Sequence, residues 1–231
     1  MNNILDEKPA RNLTGRLLAS VNFVSNEDLK DKDILNIGCG FGWCELNFLD
    51  RGIKKMAGIE ITEKDLKVAQ ENIVSEKIEF CIGSADNIPF VDCFFDTVVS
   101  WEVIEHIPKN SECRMFGEVY RVLKPGGTFY LSTPNASFFS NVMDPAWWLI
   151  GHRHYSEKKL TQIAMSEGFK IVDVKIKGGF WVLFSTLNMY IAKWIFRRRR
   201  FLNEVFGKKE NIEYQKDSGF ANIFIKFKKD A

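Results

Sequence analysis

Short apolar runs alternate with amphipathic segments along most of this chain. The runs at 33–38, 55–61, 78–83, 95–101, 128–134, 170–176 and 221–227 have the length of strands. Between them, apolar residues recur at helical spacing over about 11–24 (Leu13, Leu17, Leu18, Val21, Val24), 42–50, 63–74, 111–123 and 156–167. Seven strands interleaved with helices predict an α/β fold: a mostly parallel sheet with helices on both faces. The last run alternates apolar with polar positions and is expected as an antiparallel edge strand.

The first strand, Ile34-Leu35-Asn36-Ile37, runs straight into Gly38-Cys39-Gly40-Phe41-Gly42. A helix is expected to start immediately after. Glycines let the backbone approach a ligand closely, and a helix start offers free N–H groups. The spacing excludes two common ligands. A dinucleotide turn places its third glycine where this chain has Trp43, and a P-loop needs a Gly-Lys-Ser/Thr that is missing. The turn suits a nucleotide-like ligand without phosphates, or no ligand at all.

Two carboxylates decide between these. Glu60 ends the second strand, where an acid accepts hydrogen bonds from both ribose hydroxyls in nucleotide-binding sheets. Capping of the next helix is its bland alternative. Asp86 follows the third strand in Ser84-Ala85-Asp86-Asn87, placed to accept from an adenine amine or merely to make a turn. The fourth strand ends at Ser100-Trp101. All four strand ends face the crevice where such sheets bind ligands.

Composition narrows the class. The 231 residues suffice for one domain with a full core, and 45% hydrophobic with 27% charged residues fit a globular protein. A formal net charge of +2 gives no reason to expect nucleic acid. Five cysteines without a CxxC pair read as reduced thiols of a cytoplasmic protein, and the charged residues 1–16 lack a signal-peptide pattern.

Taken together, Leu-Asn-Ile-Gly-Cys-Gly-Phe-Gly (35–42), Gly-Ile-Glu-Ile (58–61), Ser-Ala-Asp-Asn-Ile-Pro-Phe (84–90), Phe-Asp-Thr-Val-Val-Ser (95–100), Glu-Val-Ile-Glu-His-Ile (102–107) and Leu-Lys-Pro-Gly-Gly (123–127) resemble the class I S-adenosylmethionine-dependent methyltransferases. The likeness is closest to the group that holds quinone-pathway and sugar-modifying enzymes. It implies a Rossmann-like fold, S-adenosylmethionine as cofactor and S-adenosylhomocysteine as product. By motif, Gly38, Cys39, Gly40 and Gly42 are expected along the methionine part, Glu60 and Ile61 at the ribose, and Asp86 with Asn87 at the adenine. Ser100 and Trp101 are expected near the sulfonium. Asn36 stands where the family more often has Asp.

Methyl transfer from a sulfonium depends mainly on holding the nucleophile at near-attack distance, and a hydroxyl acceptor also needs a base. His106, just past the fourth strand, is the first candidate for base or acceptor-orienting group; His154, in His152-Arg153-His154-Tyr155, is the second. No metal is assigned. The alternative is that Glu102, Glu105 and His106, at i, i+3 and i+4, hold a divalent ion, as resembling small-RNA and quinone-pathway enzymes do. An RNA methyltransferase and a non-catalytic cofactor-binding regulator are the remaining alternatives.

The whole chain reads as a single domain: an N-terminal helical cap (1–32), a core (33–177), a helical insertion (178–219) and a last strand (220–231). The insertion is the individual part. Leu183, Leu187, Tyr190, Ile191, Trp194 and Ile195 fall at helical spacing before Arg197-Arg198-Arg199-Arg200. This stretch falls short of the roughly 20 apolar residues that span a bilayer. It predicts either peripheral contact of 180–200 with the inner face of the membrane, or a lid or homodimer contact. The expected acceptor is a hydroxylated small molecule or a glycan, free or lipid-linked.

Overall fold

The computed structural model describes residues 8–198 and 201–230. The first seven residues of the expected N-terminal cap, Arg199 and Arg200 of the arginine run, and Ala231 lie outside the described residues. Seven strands form one sheet: β1 (Asp33–Ile37), β2 (Lys55–Glu60), β3 (Ile78–Ile82), β4 (Phe95–Trp101), β5 (Leu123–Pro134), β6 (Phe169–Lys177) and β7 (Asn222–Lys229). Their order is β3-β2-β1-β4-β5-β7-β6. The pairs β3–β2, β2–β1, β1–β4 and β4–β5 are parallel, and β7 is antiparallel to both its neighbours.

The central strands explain themselves. Ile34, Leu35 and Ile37 of β1 and Val98 and Val99 of β4 are fully buried because helices cover both faces. The order reverses between β1 and β4, so the crevice for a ligand lies at their carboxyl ends. One expectation is corrected here. The last strand is antiparallel but is not the edge; it is inserted between β5 and β6. The burial pattern gives the reason: Asn222 to Ile225 are all buried, as an interior strand requires, whereas β6 is mostly half-buried and carries Lys170, Asp173, Lys175 and Lys177. Charges on an exposed edge discourage pairing with another chain.

Helices α1 (Gly15–Phe23), α2 (Trp43–Leu49), α3 (Glu63–Asn72), α4 (Glu112–Val122), α5 (Phe138–Met143), α6 (Pro145–Ile150), α7 (Glu157–Ser166), α8 (Phe180–Trp194) and α9 (Asn203–Gln215) complete the chain. The stripe Met115, Phe116, Val119 and Val122 docks α4 on one face of the sheet. There the Phe116 ring meets Phe129 and Phe227 edge-on, each at 5.5 Å between centroids. The opposite face is filled by Trp43, Phe48, Trp101, Tyr130 and Phe224.

The segment between β6 and β7 folds as α8 and α9. The Glu213 carboxylate, on α9, accepts from the N–H groups of Gly179, Trp181 and Val182 at 2.9–3.0 Å. It thereby satisfies the free donors at the start of α8. Further along, Asn188 exchanges two hydrogen bonds with the backbone of Phe201. Helix α8 also packs against α5 and α6, and α9 against α1. No helix among the described residues is long and apolar enough to cross a membrane.

Candidate active site

The glycine turn folds over the tip of β2, with the N–H groups of Gly38 and Cys39 both donating to Ile59 O at 2.9 and 3.0 Å. Two of its glycines are required by packing. A Cβ on Gly38 would lie 2.4 Å from Val103 Cγ2, and one on Gly42 would lie 2.6 Å from Ile73 Cδ1; both have positive φ. Gly40 differs. Its φ is +52°, but a Cβ there would meet nothing within 4 Å. Its open side is therefore space beside the turn, not a packing contact.

Glu60 borders that space. Its Oε2 accepts from the Gly40 N–H at 3.0 Å, and its Oε1 accepts from Ile61 N, Thr62 N and Thr62 Oγ1. Glu60 thus ties the turn to the tip of β2 and holds the Ile61-Thr62 segment that leads into α3. On the neighbouring strand tip, Asp86 is half-buried and takes a short hydrogen bond from Ser84 Oγ, while Asn87 is exposed. Ile61 is 73% exposed beside the crevice. Cys39 and Ser100 are fully buried. Asn36 lies beneath the turn, where its Nδ2 donates to Glu45 Oε1 at 2.8 Å. Burial pushes the Glu45 carboxyl up to about 7.

Past β4 the chain enters a cavity of about 590 Å³ between the sheet and α8. Trp101, Glu102, Glu105 and His106 line one side, and Leu183, Thr186 and Tyr190 of α8 line another. Glu102 has φ +56°, a strained value for a non-glycine residue. Three partners fix its carboxylate: Ser132 Oγ at 2.7 Å, Arg16 at 2.8 Å and Asn222 Nδ2 at 2.9 Å.

Glu105 is buried, and Thr133 Oγ1 donates to its Oε2 at 2.9 Å. Its Oε1 accepts no hydrogen bond and lies 3.9 Å from His152 Nε2. Burial, with the Glu102 charge nearby, raises the Glu105 carboxyl well above the usual range. His106 Nε2 lies 3.4 Å from His152 Nε2. His106 is exposed at the cavity, yet the surrounding protein desolvates its ring, and this, then the neighbouring His152, Arg153 and Arg16, lowers its pKa.

The residues from His152 to Tyr155 alternate in role. Arg153 donates to the carbonyls of Ile104, Glu105 and Ile107 and to Glu112, and Tyr155 Oη donates to Ile104 O and Glu112. These two hold the loop that carries Glu105 and His106. His152 and His154 point instead toward Asp144 Oδ2, at 3.4 and 2.9 Å. His154 lines the cavity, yet its side chain is only 1% exposed and engages Asn141 as well. The ring brought against His106 is therefore His152, not His154. Sequence reasoning missed His152, Arg153 and Asp144; the alternating polar run is the signal that could have found the first two.

The family model of a methyltransferase domain matches residues 35–131, the stretch that holds the glycine turn and the tips of β2, β3 and β4. This chain carries a class I S-adenosylmethionine-dependent methyltransferase domain. A probable S-adenosylmethionine-dependent methyltransferase of Mycolicibacterium smegmatis is 29% identical over 142 residues, covering 62% of this chain and 53% of that protein. Phosphoethanolamine N-methyltransferase 2 of Caenorhabditis elegans is 30% identical over 186 residues, covering 73% of this chain and 40% of that protein. The chain thus spans about half, or less, of these curated relatives.

The fold of the methyltransferase domain also matches a solved Haemonchus contortus phosphoethanolamine N-methyltransferase 2 in complex with phosphomonomethylethanolamine and S-adenosylhomocysteine. The TM-score is 0.68 at 18% identity, over 96% of this chain and 55% of that one. The cofactor of the methyltransferase domain is S-adenosylmethionine. The open side of Gly40 beside the Glu60 carboxylate fits it, since that is room for a ligand next to an acceptor for ribose hydroxyls.

Proposed function

We propose that this chain transfers the cofactor methyl group to a hydroxyl oxygen of a small molecule or sugar, free or lipid-linked, held in the cavity between β4 and α8. Gly38, Cys39, Gly40 and Gly42 line the methionine part, with Asn36 bracing the turn from below. Glu60 and Ile61 receive the ribose, and Asp86 with Asn87 the adenine. Ser100 and Trp101 border the reacting methyl.

His106 carries the reading. It lines the cavity a few residues from Trp101, and its lowered pKa keeps its imidazole neutral and able to accept a proton. An oxygen lone pair attacks the methyl carbon as the carbon–sulfur bond breaks. The sulfonium becomes a neutral thioether, and the hydroxyl proton passes to His106. A volume of about 590 Å³ suits a drug-sized acceptor. The test is to incubate the protein and methyl-labelled cofactor with small-molecule and lipid extracts. The expected product carries the label on an ether oxygen; label on nitrogen or carbon alone contradicts the reading.

One observation favours a metal-assisted form of the same reaction. Glu105, His106 and His152 each offer one ligand atom, all within 4.8 Å of one another, and Glu105 Oε1 is buried without a hydrogen bond. Two imidazoles and a carboxylate form a plausible donor set for a divalent ion, with Asp144 orienting His152 through its other ring nitrogen. Such an ion would polarise the acceptor oxygen. The set differs from the sequence expectation: Glu102 is turned away to Arg16, Ser132 and Asn222, and His152 takes its place. Undiminished turnover after exhaustive chelation contradicts this form and leaves His106 acting alone.

A further inference from the structure

Helix α8 has two unlike faces. Val182, Leu183, Ser185, Thr186, Met189 and Tyr190 line the cavity. The opposite arc, Phe180, Trp181, Phe184, Leu187, Ile191 and Trp194, is apolar and exposed. A water-facing helix surface normally carries charge, so this one is unpartnered.

The exposed arc extends beyond α8. Aromatic rings link Phe138 to Phe139, Phe139 to Phe180, Phe180 to Phe184, Phe184 to Trp181 and Trp181 to Phe206, with centroids 5.0–6.4 Å apart. Phe138 is 75% exposed, Trp148 on α6 68%, and Ile195, just past α8, 70%. The charge beside this surface is mostly positive. Among the described residues from 191 to 209, the exposed ionisable side chains are Lys193, Arg197, Arg198, Lys208 and Lys209 against the single acid Glu204. Lys209 lies over the Trp181 ring, 5.4 Å from its centroid. The sequence adds Arg199 and Arg200 to the same run.

We propose that this face, built from α5, α6, α8 and the start of α9, docks on an anionic lipid surface. A protein partner or a second copy would match the apolar rings. The surrounding cations select a negatively charged plane, with tryptophans at the headgroup level and Lys and Arg at the phosphates. With α8 lying in the interface, the cavity is one helix diameter, about 10 Å, behind the lipid. The inference deepens the acceptor reading above by naming the surface that supplies a lipid-linked substrate. Docking is measured without methyl transfer, so either reading can fail alone.

The experiment is vesicle flotation of the full chain with phosphatidylcholine alone and with phosphatidylcholine mixed with phosphatidylglycerol. Bound S-adenosylhomocysteine is measured in the same preparations. The protein is expected to float with the mixed vesicles at least about tenfold more than with the neutral ones, and to be released by salt. Phe184→Glu with Trp194→Glu should abolish flotation and leave cofactor affinity unchanged. Arg197→Glu with Arg198→Glu should remove only the preference for the anionic lipid. Should the first pair disturb α8, the second carries the test, because both arginines are exposed. Cofactor-competent protein that floats with neither vesicle overturns the proposal. So does a dimer, dissociated by Phe184→Glu with Trp194→Glu, that binds no vesicle.

Discussion

The Nε2 atoms of His106 and His152 face each other at 3.4 Å, and the Nδ1 of His152 is turned to Asp144 Oδ2, also at 3.4 Å. A hydrogen bond at His152 Nδ1 sets which nitrogen of that ring is left to face His106. It makes His152 the residue that positions and tunes the candidate base, although it lies 46 positions away in the chain.

The first prediction concerns that pair. His106→Gln should lower kcat by about 10²–10⁴, the usual contribution of a positioned base, with S-adenosylhomocysteine affinity unchanged. Wild-type activity should be lost as pH falls through the His106 pKa, which lies below the ordinary 6.5. Because the His152 ring is one of the groups lowering that value, His152→Asn should move the acid limb of the profile to higher pH. A merely structural role for His152 would leave the limb where it is.

Glu45 gives a stability prediction with a definite sign. It is fully buried, and burial raises its carboxyl from 4.5 to about 7. Between those values the folded chain holds a proton that the unfolded chain has released. Stability therefore falls as pH rises through this window, by about 3 kcal/mol in all, and levels off above it. Urea unfolding at about pH 5 and about pH 8 measures the slope. Glu45→Gln, which keeps an acceptor for Asn36 Nδ2, should flatten it and be the more stable protein at the higher pH.

Phe116 should be the costliest single aromatic to remove from the α4 face. Its ring contacts Phe129, Phe169 and Phe227 and is fully exposed to none of the solvent. Phe116→Ala should lose about 3–5 kcal/mol in denaturant unfolding, because a ring-sized cavity in a close-packed cluster collapses poorly. Phe138→Ala, on the exposed face, should change stability by less than about 0.5 kcal/mol.

Much of the fold, and the glycine turn and acid that border the candidate crevice, were legible in the sequence because they are local. A strand of consecutive apolar residues, a glycine turn and an acid at a strand end are decided within a few residues of one another. The antiparallel character of β7 was legible too, but its interior position was not: Lys226 and Lys228 suggest an edge, whereas the pairing that buries Ile223, Phe224, Ile225 and Phe227 depends on β5 and β6 together. The acceptor side was harder for the same reason. The Glu102-Glu105-His106 spacing suggests three ligands on one helical face, but residues 102–107 form a loop. There Arg16 and Asn222, from opposite ends of the chain, draw Glu102 away. His152 and Asp144 reach His106 only through the packing of α6 and the segment after it.

Gly40 and Glu60 join turn to strand tip, and the methyl transfer proposed for this chain requires the cofactor there. Isothermal titration calorimetry with S-adenosylmethionine and S-adenosylhomocysteine tests this most directly. Both ligands should bind wild-type protein. Glu60→Ala should weaken both by about tenfold or more, since a charged acceptor is lost, and Gly40→Val should abolish binding by filling the open side of the turn. Folded wild-type protein that gives no heat with either ligand would contradict the account.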